Sequence, residues 1–199
     1  DFTQKVALKL IKRGMDSEAV LRRFRAEREI LARLEHPFIA RLIDGGSTAD
    51  GLPYFALEYV EGSPIDRHCQ AHRLSVEQRL ALFLDVCEAV QYAHRHLVVH
   101  RDLKPANILV DRDGRVRLLD FGIGKLLLDE PGTEEQSAAP TLLERPMTPE
   151  FASPEQVRGE PVTTATDVYS LGVVLQFLLT GELPYTIERR EPLEIARVV

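Results

Sequence analysis

The 199-residue chain has little cysteine, no long apolar run and no excess of positive charge. Its two cysteines, Cys69 and Cys87, cannot form a disulfide framework or a four-cysteine zinc site, so a reducing compartment is the expected setting. No apolar run reaches the roughly 18 residues that a membrane-crossing helix needs, so we expect no membrane segment in this chain. The net charge of −6 argues against a nucleic-acid-binding surface. The opening DFTQKVALKL has neither an initiator methionine nor an apolar signal region, so no signal peptide is expected.

The remaining composition, 44% apolar and 28% charged residues, is that of an ordinary globular protein. Residues 4–11 are apolar and β-branched enough to form a strand. An amphipathic helix is predicted next, ending near Pro37, because the residue before a proline is pushed out of the helical region. Its apolar face carries Val20, Phe24, Leu31 and Leu34. Short strands at 40–43 and 54–59 are predicted on either side of a turn-rich segment, and residues 61–64, EGSP, are predicted to link two subdomains.

The second half of the chain is predicted to be richer in helix. Ser75 and Gln78 have the spacing of a capping box and open a helix that runs to about His96. The predicted buried stripe of this helix consists of Val76, Leu80, Phe83, Leu84, Cys87 and Val90. Short strands are predicted at 98–100, 108–110 and 116–120, with a tight turn at 111–114. A long mobile loop at 129–147 precedes a helix at 167–180 that is apolar on nearly all sides, which indicates a position in the core.

Short motifs in a fixed order carry the functional information. HRDLKPAN at 100–107 matches the pattern H-R-D-L-x-x-x-N, and DFG stands at 120–122. VALK at 6–9 is close to V-A-I-K and lies on a predicted strand, and SPE at 153–155 stands where A-P-E is expected. Together these motifs resemble a eukaryotic-type (Hanks-type) protein kinase. The Lys-Pro pair in HRDLKPAN resembles the serine/threonine class, and TPEFASPEQVRGEPVTTATDVYSLGVVL is similar to its bacterial branch.

The resemblance implies an α+β fold of the protein-kinase type with two lobes. Residues 1–60 would form part of a small β-rich N-lobe, with the third strand, the C helix and the strands that follow. Residues 61–199 would form part of a larger, mostly helical C-lobe, up to about the start of helix G. Because the glycine-rich loop and the last helices are missing, we interpret the chain as an internal fragment of a longer protein. The kinase domain is expected in the cytoplasm, and a membrane anchor elsewhere in the parent chain stays open.

Three polar residues in these motifs have the chemistry that phosphoryl transfer requires, which is mainly positioning and charge stabilisation. Asp102, Asn107 and Asp120 flank predicted strands, and adjacent strands lie about 4.8 Å apart, so the three side chains can converge. Asn107 and Asp120 supply the oxygen ligands that Mg²⁺ prefers, which leaves Asp102 to accept the proton of an attacking hydroxyl. By the resemblance, Asp102 is the catalytic base, Asn107 and Asp120 hold the metal, and Lys104 lies near the transferred phosphate.

The resemblance also implies an ATP site. Glu27 falls on the apolar face of the first helix, where a carboxylate is costly unless it is paired. The family pairs such a glutamate with the lysine of VALK, so Lys9 would contact the α- and β-phosphates and be oriented by Glu27. The other nucleotide-binding residues implied are Ala7 and Leu109 around the purine, Leu57 as the gatekeeper, Glu58 and Val60 in the hinge, and Asp120.

Regulation is expected in the segment between DFG and SPE. In this family an arginine such as Arg101 often receives a phosphate from that segment. Thr148 resembles the residue that contacts the catalytic loop and helps to select serine or threonine substrates. Glu144 occupies a position where many relatives carry an activating threonine, and its carboxylate could mimic phosphate in part. Thr141 is then expected to add to activity when phosphorylated, although a role for Glu144 as a merely solvated residue stays open.

The implied function is ATP- and Mg²⁺-dependent phosphorylation of serine and threonine hydroxyls on protein substrates. One alternative is a small-molecule phosphotransferase of the same fold, such as the aminoglycoside kinases. Lys104, DFG and the long loop ending in SPE argue against it. The other alternative is a pseudokinase that acts as a binding scaffold. Pseudokinases usually lose the VALK lysine, the HRD aspartate or the DFG aspartate, and this chain has all three.

Overall fold

Two small antiparallel sheets and the helices around them form the part of the protein described by the computed structural model, residues 4–10, 22, 24, 28–121, 149–187, 195, 198 and 199. The first sheet has the strand order β1-β3-β2, with β1 at Val6–Leu10, β2 at Leu42–Ser47 and β3 at Pro53–Glu58. The second sheet has the order β4-β5-β6, with β4 at Gly62–Pro64, β5 at Ile108–Asp111 and β6 at Val116–Leu118. The predicted α+β class is confirmed.

Most of the described helices lie in the second half of the chain. The helix α1 spans Ile65–Ala71, α2 spans Val76–Arg95, α3 spans Pro154–Arg158 and α4 spans Thr164–Thr180, with short 3₁₀ turns at Pro105–Asn107 and Pro149–Phe151. The predicted capping box of α2 is confirmed, since Ser75 Oγ accepts from the Gln78 N–H and Gln78 Oε1 accepts from the Ser75 N–H. Residues 28–31 are helical and the helix ends before Pro37, as predicted. No described helix is both long and apolar enough to cross a membrane.

Three strand predictions and the linker prediction differ from the structure. β2 starts two residues later than predicted and includes Gly45, because a Cβ there would lie 2.7 Å from Arg28 Cδ and only glycine allows this approach. In the predicted EGSP linker, Gly62–Pro64 form the strand β4, and a Cβ at Gly62 would lie 2.4 Å from the Val110 carbonyl oxygen. Residues 98–100 form no strand, because the His100 N–H bonds to a side chain, and β6 already ends at Leu118.

The buried face of α2 also differs from the prediction. Phe83 and Val90 are buried as expected, but Val76, Leu80 and Leu84 are exposed. The buried positions instead include Val86, Ala89 and Ala93. The prediction followed side-chain size, whereas the face of the helix that is buried includes two alanines, and the helix packs against α4 and β6.

The helix α4 begins at Thr164, three residues before the predicted start. Within the described residues it is buried on one side only, at Val173, Val174 and Leu178, while Val168 is exposed. The expected position in the core is therefore confirmed for this side of the helix, since Val174 and Leu178 belong to the main apolar cluster. The predicted loop at 129–147 lies outside the described residues.

The two sheets are joined by a short hydrogen-bonded contact. The Ala40 N–H donates to the Leu118 carbonyl at 2.9 Å, and the Leu118 N–H donates to the Phe38 carbonyl at 2.7 Å. Ile39 and Leu118 form an isolated parallel bridge, and both side chains are buried. The segment before β2 is therefore attached directly to β6, the strand that precedes DFG.

Candidate active site

The HRD segment is held in place by the buried carboxylate of Asp167 in the first turn of α4. Asp167 is 1% exposed and accepts hydrogen bonds from the His100 N–H at 2.8 Å and the Arg101 N–H at 2.9 Å. It also lies 2.7 Å from His94 Nε2. Asp167 therefore braces this loop through the backbone of the loop.

His100 is a packing residue. Its side chain is fully buried against the Phe121 ring, with centroids 4.7 Å apart. Nε2 donates to the Leu119 carbonyl at 2.8 Å and Nδ1 accepts from the Asp102 N–H at 3.3 Å, which defines a neutral imidazole with its proton on Nε2. Burial lowers the pKa of His100, although the nearby Asp167 and the hydrogen bond to Leu119 oppose the shift.

Asp102, Lys104 and Asn107 are brought together. Asp102 Oδ2 lies 2.9 Å from Lys104 Nζ and accepts from Asn107 Nδ2 at 2.9 Å. Asn107 Nδ2 also donates to the Asp102 backbone carbonyl at 2.8 Å. A cation and an amide therefore orient the Asp102 carboxylate, and charge-assisted bonds of this kind are stronger than neutral ones.

Lys9 reaches the same place from the first sheet. Its Nζ lies 2.5 Å from Asp120 Oδ1, and both side chains are about one-third exposed. Asp120 adjoins Asn107, because the N–H of the intervening Leu119 donates to the Asn107 carbonyl at 2.8 Å. Glu27, the predicted partner of Lys9, lies outside the described residues.

The amide and the carboxylate each leave one oxygen for a ligand. Asn107 uses its nitrogen to contact Asp102, and Asp120 uses Oδ1 to contact Lys9. Among the described residues, no group donates to Asn107 Oδ1 or to Asp120 Oδ2. Two such hard oxygens fit Mg²⁺, which binds few protein ligands and keeps waters or phosphates around it.

Two residues of the site have left-handed backbones. Arg101 has a φ of 67° and Asp120 a φ of 59°, and neither is a glycine. Such conformations cost on the order of 1–3 kcal/mol each and persist only where the surroundings impose them. At Arg101 the bond to Asp167 helps to impose the conformation, which turns the chain immediately before Asp102.

The residues predicted to bind the purine lie along the two sheets. Ala7 is directly opposite Leu57 on the neighbouring strand, so both share the face of the first sheet that also carries Lys9. Leu57 lines a small cavity together with Asp120 and Phe121. Leu109 lies on β5 opposite Pro64.

Glu58, predicted in the hinge, forms an ion pair that sequence reasoning missed. Glu58 Oε2 accepts from Arg117 of β6 and from the Arg41 N–H. Its side chain therefore connects β3 to the second sheet, and its N–H donates to the Arg41 carbonyl at 2.8 Å. Val60, also predicted in the hinge, is half-buried just beyond β3.

Two further polar residues near SPE were missed. Thr166 Oγ1 donates to Glu155 Oε1 at 2.6 Å, and this bond with other local donors lowers the pKa of Glu155 although burial acts to raise it. Gln156 donates to the Arg101 carbonyl at 2.7 Å. The signal was available, because Ser153 and Gln156 have the same S-x-x-Q spacing that predicted the cap of α2.

The predicted regulatory residues are only partly covered by the structure. Arg101 is half-buried. Thr141, Glu144 and Thr148 lie outside the described residues, so their predicted roles stay predictions.

Comparison with known proteins gives consistent matches. The protein kinase domain family matches residues 1–197. The serine/threonine-protein kinase PknB of Mycolicibacterium smegmatis is 37% identical over 185 residues, which cover 90% of this chain and 29% of that protein. PknB of Mycobacterium tuberculosis is 36% identical over 186 residues, covering 91% of this chain and 29% of that protein. The chain thus spans less than a third of the length of these curated relatives.

A solved structure matches as well. The crystal structure of a point mutant of the Mycobacterium tuberculosis PknI kinase domain superposes with a TM-score of 0.68 at 31% identity. The match covers 93% of this chain and 67% of that one. These matches confirm the resemblance that the motifs predicted, and with it the kinase-like α+β fold.

Proposed function

The chain belongs to the protein kinase domain family, and on this premise we propose that it transfers the γ-phosphoryl group of ATP to serine and threonine hydroxyls of protein substrates. The observation that carries the proposal is the Asp102 carboxylate, whose Oδ2 contacts both Lys104 and Asn107 at 2.9 Å. Buried backbone bonds of the preceding HRD residues hold this carboxylate in position.

In the proposed reaction the substrate hydroxyl oxygen attacks the γ-phosphorus while the bond from that phosphorus to ADP breaks. Asp102 accepts the hydroxyl proton. Lys104, which contacts the same carboxylate, lies where it can stabilise negative charge on the transferred group. Lys9 would neutralise charge on the α- and β-phosphates. For this, its ammonium group would replace part of its contact with the Asp120 carboxylate by contacts with phosphate oxygens.

The metal site is part of the same proposal. Asn107 Oδ1 and Asp120 Oδ2 would hold Mg²⁺, and the bound ion would neutralise charge on the phosphates. The purine would lie between Ala7 and Leu109, against the backbone of Glu58 and Val60. The proposal includes a cytoplasmic location for these residues. The free thiols of Cys69 and Cys87 agree with the reducing conditions of such a compartment.

Two alternatives, a pseudokinase scaffold and a small-molecule phosphotransferase, are less well supported than this proposal. Lys9 contacts Asp120, and Asp102 contacts Asn107. Because Lys9, Asp102 and Asp120 are the residues that pseudokinases usually lose, their presence in these contacts favours an active enzyme over a pseudokinase scaffold. The serine/threonine-protein kinase names of the relatives favour a protein substrate over a small molecule. Regulation by Arg101, Thr141, Glu144 and Thr148 belongs to the proposal and is tested by mass spectrometry together with the kinetics of Glu144→Ala.

The test is a phosphorylation assay with radiolabelled ATP on the full-length protein, with a generic basic protein and an aminoglycoside as separate acceptors. We expect label on serine or threonine of the protein acceptor and none on the aminoglycoside. Asp102→Asn should abolish the transfer while leaving the melting temperature nearly unchanged, because the substitution is isosteric. Near-normal turnover by Asp102→Asn would refute the assignment of the base, and ATP binding without any transfer by the wild type would favour the pseudokinase.

A further inference from the structure

Gln156 uses both ends of its side-chain amide. It is 6% exposed and lies in the first turn of α3, immediately after the SPE motif. Its Oε1 accepts from the Ser153 N–H at 3.2 Å, and its Nε2 donates to the Arg101 carbonyl at 2.7 Å. The two partners define the orientation of the amide, because an N–H can only donate and a carbonyl can only accept.

The carbonyl that Gln156 contacts belongs to the peptide unit between Arg101 and Asp102. This unit is planar, so fixing its carbonyl also fixes the direction in which the chain enters Asp102. The other end of the unit, the Asp102 N–H, is held by His100 Nδ1. The preceding N–H, that of Arg101, is held by Asp167. Because Arg101 has a φ of 67°, the unit depends on such external contacts to stay in this conformation.

We propose that Gln156 is a positioning residue for the catalytic base, acting through the Arg101 carbonyl. It does not touch a reacting atom. It links the first turn of α3, directly after SPE, to the peptide plane that aims the Asp102 carboxylate. The inference rests on the proposed kinase function, because only that function makes Asp102 the base.

The chain contains a matched control for this role. Gln78 stands in the same S-x-x-Q arrangement with Ser75 at the start of α2, and it forms the same two capping bonds. Gln78 is exposed, whereas Gln156 is buried and makes the additional bond to the loop. A substitution that spares the cap should therefore have different effects at the two positions.

Glutamate is the suitable substitution, because it is also a usual capping-box residue and keeps the acceptor for the serine N–H. At position 156 it replaces the donating NH₂ with an oxygen that faces the Arg101 carbonyl oxygen. We expect Gln156→Glu to lower kcat by about tenfold or more, with KM for ATP nearly unchanged, since small errors in placing a reactive group are costly. Gln78→Glu should leave kcat within about twofold of the wild type.

The experiment measures kcat and KM for ATP with the full-length protein, well below the unfolding transition of each variant. Gln156→Met is included, because it removes the donor without adding a charge, and it should also lower kcat with KM retained. Hydrogen exchange is followed in parallel over residues 98–104 and should be faster in both Gln156 variants than in Gln78→Glu. The exchange readout does not depend on activity, so it decides the positioning role even if the wild type transfers no phosphate.

Two outcomes would overturn the inference. One is a pair of folded Gln156 variants whose kcat and loop exchange match those of the wild type. The other is a loss in Gln78→Glu as large as the loss in Gln156→Glu, since this would trace the effect to helix capping alone. An inactive wild type with faster loop exchange in the Gln156 variants would refute the proposed kinase function and leave the positioning contact supported.

Discussion

In the HRD loop buried groups support Asp102, the proposed catalytic base, whereas on strand β1 Lys9, the proposed phosphate-binding lysine, makes one ion pair with a described residue, Asp120. His100 and Asp167, which support Asp102, are at most 1% exposed. Lys9 and Asp120 are about one-third exposed, and the other face of β1 exposes Leu8 to solvent. Among the described strands, β1 lies at the edge of its sheet.

The difference indicates how stability and chemistry are divided between the two regions. Removal of the donors of a buried carboxylate, or of the carboxylate that accepts from buried donors, destabilises the fold strongly. An exposed ion pair contributes about 0–1 kcal/mol at most. Substitutions of the buried groups that support Asp102 should therefore change both stability and activity, whereas substitutions at Lys9 should change activity alone.

The largest effect on stability is expected at Asp167. Asp167→Ala leaves the buried His100 and Arg101 N–H groups without their acceptor, and we expect it to lower the free energy of unfolding by about 3–5 kcal/mol. Denaturant titration measures the change. The neighbouring Val168→Ala is the control, because Val168 is 63% exposed and its truncation should matter by no more than about 0.5 kcal/mol. Equal stabilities of the two variants would remove the distinction between the regions.

Lys9→Met should separate chemistry from stability. We expect kcat/KM for ATP to fall about a hundredfold or more, because the phosphates lose a cation, while the free energy of unfolding changes by less than about 1 kcal/mol. Lys5→Met, at an exposed position before β1, should change neither quantity. A double-mutant cycle with Glu27→Gln should be non-additive if these two residues form the pair predicted from the sequence. Simple additivity would argue against that pair.

The pH dependence of stability should carry a contribution from His100. Burial lowers the pKa of His100 in the folded state below its ordinary value of about 6.5. Just below pH 6.5 the unfolded chain therefore binds a proton at this histidine that the folded protein does not bind. As the pH is lowered below about 6.5, the free energy of unfolding should therefore decrease by up to about 1.4 kcal/mol per pH unit. Above about 6.5 the contribution of His100 to stability is fully present. Asp167, Asp102 and Asp120 oppose the shift. His100→Gln should flatten the slope, and an unchanged slope would assign it to other groups.

The smallest effects are expected at the two ion pairs beside the hinge. Arg117 and Glu58 are 18% and 33% exposed, whereas Arg112 and Glu61 are 75% and 55% exposed. Arg117→Gln should raise KM for ATP a few-fold and lower stability by about 1 kcal/mol, because it releases the Glu58 side chain. Arg112→Gln should have no measurable effect on either quantity. If both substitutions act alike, burial does not determine the contribution of these pairs.

The fold class could be predicted because the motifs resemble a known family. The proximity of Asn107 to Asp102 and Asp120 could be predicted because all three flank short neighbouring strands. The cap of α2 was predicted because it depends on local spacing. What failed depended on close packing between distant segments. Gly62 is typical of a linker, yet it lies in a strand because its missing side chain allows contact with Val110.

Long-range polar partners were equally hidden. The ion pair between Glu58 and Arg117 joins residues 59 positions apart, and no local pattern distinguishes it from other solvated charges. The buried face of α2 was missed for a related reason, since alanines at a tight helix contact carry a weaker hydrophobic signal than the exposed Leu84. Gln156 was the exception, because its motif was visible and only its third bond was not.

The left-handed backbones at Arg101 and Asp120 place folding and activity in conflict at the same two positions. Glycine or asparagine would adopt these angles with less strain, so a sequence optimised for thermal stability alone would replace both residues. A library screened only for heat resistance should therefore accumulate inactive variants at positions 101 and 120. Stabilisation of this protein is better directed at its exposed strand and helix faces, where neither angle nor charge serves the reaction.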